Sequence, residues 1–289
     1  TFFEAFATLR AKVNAVEMDA PRDHSCLQEV ETTPKISMDR IMYIMVANTP
    51  SNNKELLKKL MAPAATPNAV AVQDDVAAEG GIARFFNVNA ADPGKRAEVL
   101  AAIREQLAAD GGSLGCVMHS LAFGSLLPFV RQEGEAGKTA TPKQMNMTLD
   151  VMAHSLVYWV QDLVAADLLG DGARVFAMTS SGSRLVSPSY GVVSAAKAAL
   201  EAHCRQLAYE LLPRGITVNS ICAGVTRTAA LEKIPGADVL INKSLAKSPV
   251  DRLTHPEDVA GAIAALCDPR LYWLTGNVLG IHGGEEIIG

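Results

Sequence analysis

Short apolar runs alternate with longer amphipathic stretches along most of this chain, and that alternation restricts the fold more than any other feature. Period-two or continuous apolar runs predict about seven strands, at 41–47, 69–73, 83–88, 114–119, 174–179, 216–222 and 278–282. Helical periodicity fills the intervals at 51–61, 93–110, 141–169, 188–212 and 255–266. Several ends are readable. Asp92-Pro93 and His255-Pro256 are helix starts, and Pro213-Arg214-Gly215 is a helix stop. Strands separated by helices of this length cannot pair as hairpins. They form a parallel sheet whose two faces are both covered by helices. The expected class is therefore α/β, a doubly wound Rossmann-like sheet of about seven strands spanning 38–289, preceded by an N-terminal extension at 1–37. An α/β barrel fits less well, because no eighth unit is present.

Composition narrows the function classes. Of 289 residues, 49% are hydrophobic and 20% charged, with a formal net charge of −5. That mild acidity offers no footprint for nucleic acid. No apolar run is long enough to span a bilayer. Cys26, Cys116, Cys204, Cys222 and Cys267 are scattered without a C-x-x-C pair, so neither a zinc site nor a disulfide framework is expected, and reduced thiols point to the cytoplasm. His24, beside Asp23 and Cys26, lacks the further ligands a metal site needs. The 1–22 segment carries Glu4, Glu17 and Asp19, unlike a signal or transit peptide, and Thr1 stands first, as in a processed, truncated or excised chain.

In an open parallel sheet, ligands sit beyond the carboxyl ends of the strands, so the residues just after each strand are the candidates. Thr179-Ser180-Ser181-Gly182-Ser183 is a hydroxyl-rich turn after the fifth expected strand. Tyr190 opens the next helix and Lys197 follows seven residues later, nearly two full turns on, so the two share a face. An ammonium near a phenol favours the phenolate and makes the phenol a better acid.

These residues, with three other segments, carry a resemblance. From about Arg84 onward the chain resembles the short-chain dehydrogenase/reductases, and within them most closely the bacterial enoyl-[acyl-carrier-protein] reductases. Tyr190-Gly-Val-Val-Ser-Ala-Ala-Lys197 has the Tyr-x6-Lys spacing of the enoyl reductases instead of the commoner Tyr-x3-Lys. His119-Ser-Leu-Ala-Phe123 resembles their His-Ser-Ile-Ala-Phe stretch. The segment from Val218 to Thr228 resembles their Val-Asn-x-Ile-x-Ala-Gly-x-x-Arg-Thr, and Leu274 through Gly284 resembles the last strand, with His282 where Asp is usual.

The resemblance implies NAD(P)H-dependent reduction of an enoyl thioester linked to acyl-carrier protein or coenzyme A, as in fatty acid biosynthesis. Tyr190 would stabilise the enolate, Lys197 would hold the nicotinamide ribose and tune Tyr190, and Ser180 would serve beside them. Ser120, Leu121 and Thr228 would line the cofactor cleft, and Asn87 and Val88 would flank the adenine. Residues 229–248 would form the substrate lid. Lys233, Lys243, Lys247 and Arg252, in or beside it, would meet an acidic carrier or a coenzyme A phosphate. A cytoplasmic homotetramer, with the helix of Tyr190 and Lys197 in an interface, is the implied assembly. His154-Ser155 would lie mid-helix facing the cleft, with a packing role.

Two departures keep alternatives open. Many enoyl reductases have a second tyrosine where Ser180 stands, and superfamily ketoreductases use a serine near this site, so a 3-oxoacyl or other ketone reductase also fits. The first of the 22 glycines is Gly80, so the usual Gly-rich pyrophosphate turn is replaced by Asn48-Thr49-Pro50-Ser51-Asn52-Asn53. Asn48 and Ser51 are then the phosphate-side candidates, since Asn tolerates left-handed backbone and Ser caps helices. Asp74, about 20 residues beyond, is placed to bind an adenosine ribose diol and tilts the expectation slightly toward NAD(H) over NADP(H). A non-redox member with decayed nucleotide binding is the third reading.

Overall fold

The computed structural model describes residues 45–46, 84–86, 88–110, 112–131, 137–227, 231 and 237–288. The extension at 1–37, the helix expected at 51–61, the strand expected at 69–73, and Asn48, Ser51, Asp74, Asn87, Thr228 and Lys233 lie outside the described residues.

Six described strands are all parallel in their pairings. Strand β1 (Met45–Val46) pairs with β2 (Phe85–Phe86). A second sheet has the order β3-β4-β5-β6, from β3 (Leu114–His119), β4 (Leu169–Thr179), β5 (Thr217–Ala223) and β6 (Val278–Ile281). Register is carried by pairs such as Val117↔Val175, Val175↔Val218 and Ile221↔Leu279. The helices are α1 (Pro93–Asp110), α2 (Pro142–Leu149), α3 (Ser155–Ala165), α4 (Gly191–Leu211), α5 (Ala237–Lys247) and α6 (Pro256–Leu266).

Both faces of the second sheet are covered because alternate residues on each strand are apolar in both directions. Val117, Val175, Ala177 and Val218 join Val99 and Ile103 of α1, Leu156 and Leu163 of α3, and Leu200 and Leu207 of α4 in the larger core. Cys116, Phe176 and Ile221 point the other way, onto Val259, Ala260 and Ile263 of α6. This is the doubly wound arrangement that the alternation of elements predicts.

The expected helix at 141–169 divides. Thr141 caps α2, a π turn occupies Asp150–His154, and α3 stops at Ala165. Its stop is a Schellman closure: Asp167 adopts φ 54°, Leu168 N–H donates to Leu163 O at 3.0 Å, and Asp167 N–H donates to Val164 O at 3.1 Å. Strand β4 therefore begins at Leu169, five residues before its expected start. Gly215, at φ 68°, ends the turn after α4, as Pro213-Arg214-Gly215 predicts. The 229–248 stretch contains helix α5, which the periodicity reading does not include.

Candidate active site

The carboxyl ends of β3 and β4 bring together the described candidates Leu121, Ser180, Tyr190 and Lys197. Asp92 and Asp258 illustrate how firmly the flanking helices begin: Asp92 Oδ1 accepts from Lys95 N–H at 3.0 Å, and Asp258 Oδ2 from His255 N–H at 2.8 Å. Tyr190 is the N-cap residue of α4, with φ −92° and ψ −2°, so its ring stands at the helix entrance. The turn after β4 folds against it. Ser180 Oγ lies 3.4 Å from Tyr190 Oη. An ideal Cβ on Gly182 would sit 2.4 Å from Tyr190 Cε1, so only glycine lets this turn approach the ring so closely.

Lys197 lies beneath, on the buried stripe of α4. Its Nζ donates to Met178 O at 2.7 Å and to Leu121 O at 3.2 Å, tying α4 to the ends of both β4 and β3. Burial pushes its ammonium down to about 8. Two of its three donors are engaged, which leaves one to reach a hydroxyl entering the cleft. One turn on, Glu201 Oε1 accepts from Thr179 Oγ1 at 2.7 Å, and both side chains are buried.

The other candidates take distinct positions. Leu121 is buried with Ala90 and Val151 and contributes its carbonyl, whereas Ser120 is exposed at the strand end. Val88 packs on the larger core. Lys247 Nζ donates to Ile288 O, and Arg252 forms a two-pronged pair with Asp258 at 2.6 and 3.1 Å that offsets its charge; Lys243 is exposed on α5.

His154 and Ser155 lie where the π turn meets α3, and both are tied to neighbouring elements. Ser155 is fully buried and donates to Val151 O at 2.6 Å, so its oxygen accepts from His119 Nε2–H at 2.8 Å. That contact assigns the His119 tautomer and leaves Nδ1 as a buried acceptor without a hydrogen-bond partner. Burial, with the nearby Lys197 charge, pushes His119 down to about 3 and keeps it neutral. His154 Nδ1 instead meets His203 Nε2 of α4 at 2.9 Å.

Residues missing from the sequence reading also build this region. The turn after β6 carries Glu285 and Glu286. Glu285 accepts from Val225 N–H at 3.1 Å and Ser244 Oγ at 2.7 Å, joining the end of β5 to α5. Glu286 meets Arg184 Nη2 at 3.3 Å and the Cys222 thiol at 3.5 Å, and burial followed by that carboxylate pushes Cys222 up to about 12. Adjacent acids after the Gly283-Gly284 pair offer no periodic signal that would have singled them out.

The family model described as enoyl-(acyl carrier protein) reductase matches residues 55–285. The chain belongs to this family. Enoyl-(acyl carrier protein) reductase family relatives include the NADH enzyme FabI of Aquifex aeolicus, 28% identical over 188 residues, covering 65% of this chain and 67% of the relative. FabI of Escherichia coli K12 is 28% identical over 170 residues, covering 59% and 63%. The chain thus spans about two thirds of the length of these relatives. The crystal structure of the Aquifex aeolicus enzyme superposes with a TM-score of 0.64 at 23% identity, over 78% of this chain and 85% of that one. The angucycline C-6 ketoreductase LanV, with bound NADP, gives 0.64 at 23%, over 76% and 81%. The fold is therefore shared by members that reduce different bonds, and the site residues must discriminate between them.

Among the described residues no group of three or more His, Cys, Asp or Glu side chains could hold a metal ion, and no helix is long and apolar enough to cross a membrane.

Proposed function

We propose that this chain reduces the carbon–carbon double bond of an enoyl thioester with NAD(P)H, NAD(H) being the preferred form. The single observation that carries the reading is the grouping of Tyr190 at the entrance of α4 with Ser180 at 3.4 Å and Lys197 beneath, at the carboxyl ends of β3 and β4. When bound, the reduced nicotinamide supplies a hydride to the β-carbon. Tyr190 Oη donates to the thioester carbonyl and stabilises the negative charge that develops on its oxygen. Lys197 uses its remaining donor on the nicotinamide ribose. Leu121 and Ser120 line the nicotinamide side, with Thr228 beyond. Asn87, Val88 and Asp74 would hold the adenosine end, and Asn48 and Ser51 the pyrophosphate.

The 229–248 segment, including α5, would close over the acyl chain. Exposed Lys243 supports docking of an acidic carrier protein or a coenzyme A phosphate. A cytoplasmic homotetramer acting in fatty acid biosynthesis completes the proposal.

Ser180 favours one competing reading. A serine hydroxyl 3.4 Å from the active phenol can share a ketone oxygen with it, as a 3-oxoacyl reductase would require. Steady-state assays with NADH and NADPH on crotonyl and acetoacetyl thioesters of coenzyme A separate the two. Crotonyl-dependent cofactor oxidation at least about tenfold faster in kcat/KM is expected. Acetoacetyl preference would transfer the assignment to ketone reduction, and no dinucleotide binding at millimolar concentration would remove both.

A further inference from the structure

Lys197 is a buried cation whose neighbours must be counted from every side. From the end of β3 comes His119, which is neutral, and from the loop just after it the Leu121 carbonyl. From β4 comes the Met178 carbonyl, and from its own helix come Cys204 and Glu201. Burial disfavours the ammonium, while Cys204 and Glu201 oppose that shift. The Cys204 thiol, pushed up to about 11 by burial, carries no charge where Lys197 titrates. Glu201 is left as the acid one turn away on the same buried stripe.

Its placement is built. The Thr179 hydroxyl donates to Glu201 Oε1 at 2.7 Å, and Thr179 is the residue after Met178, whose carbonyl takes Lys197. Two side chains of α4, one turn apart, thus grip two consecutive residues at the end of β4. The next residue is Ser180, which meets Tyr190. The same grip holds the end of β4, which leads into the Ser180 turn, against α4.

We infer that Glu201 is a positioning residue: held by Thr179, it supplies the counter-charge that keeps Lys197 protonated and fixed against the ends of β3 and β4. The inference rests on the proposed role of Lys197 in cofactor and Tyr190 chemistry, but its test does not depend on turnover.

The experiment is competitive acylation of the full-length protein with trace acetic anhydride across pH 6 to 10. Modification of Lys197 is quantified by mass spectrometry against exposed Lys143. The wild-type midpoint is expected near 8. Glu201→Gln keeps an acceptor for Thr179 and removes the charge, so its midpoint falls by about one unit. Glu201→Asp restores most of the shift. Thr179→Val keeps the carboxylate but frees it, giving a midpoint between those of the wild type and Glu201→Gln. An unchanged or raised midpoint in a folded Glu201→Gln protein overturns the inference, whatever the activity. A shifted midpoint in a protein that reduces no thioester sinks the proposed reaction and leaves the Glu201 assignment standing.

Discussion

Ser180 Oγ and Tyr190 Oη stand 3.4 Å apart, two hydroxyls from different elements sharing one small volume at the end of β4. A carbonyl oxygen placed between them could accept from both. Tyr190→Phe removes the donor proposed to act on the reacting oxygen and should lower kcat by about 10²–10³-fold with little change in KM. Ser180→Ala should lower enoyl reduction less than about threefold and 3-oxoacyl reduction at least tenfold, if the two hydroxyls divide the roles as proposed. Parallel assays of both variants on both thioesters check this, and equal losses on both substrates would count against the division.

Gly182 lets the turn lie against the Tyr190 ring, where a Cβ would come within 2.4 Å of Cε1. Gly182→Ala must displace the ring or the turn. Activity is expected to fall at least tenfold while the unfolding free energy changes by about 1–2 kcal/mol, because the strain is local. Urea unfolding and kinetics on one preparation read both.

His119 should make the fold sensitive to acid. Its pKa is about 3 when buried against an ordinary value of 6.5. Between those values the unfolded chain holds more protons than the folded one, so stability falls as pH drops through that window. Between pH 7 and 5 this side chain alone costs about 2 kcal/mol. Urea midpoints at the two pH values measure the slope, and His119→Gln, which can still donate to Ser155, should flatten it.

Asp167 closes α3 with a φ of 54° and is exposed. Glycine adopts that conformation without steric cost, so Asp167→Gly should stabilise the fold by about 0.5–1 kcal/mol. Thermal unfolding at fixed pH tests it, and a loss of stability would mean that the aspartate side chain contributes more than its backbone strain.

The parts of the structure legible in advance are those governed by local chemistry. Strand β3 and the starts of α1 and α6 follow from apolar runs and capping residues that act within four positions. Tyr190 at the entrance of a helix and Lys197 two turns along needed only the helical repeat. The end of α3 was misplaced because its left-handed closing residue is an aspartate, which adopts that conformation less often than glycine and so gives a weaker signal. Helix α5 is not legible because its apolar residues Val239, Leu240 and Ile241 run consecutively instead of at helical spacing.

The sequence by itself determined the parallel, doubly covered sheet and the line of hydroxyl, phenol and amine along β4 and α4, because each depends on period and spacing within a short stretch, while the family was legible through its resemblance to known motifs. Tertiary structure decided which groups answer one another. His119 meets Ser155 across 36 residues, Thr179 meets Glu201 across 22, and Glu286 meets Cys222 across 64. Such contacts leave no mark in local pattern. They exist because packing the helices onto the sheet removes water from these polar groups, and each must then find its partner inside the protein.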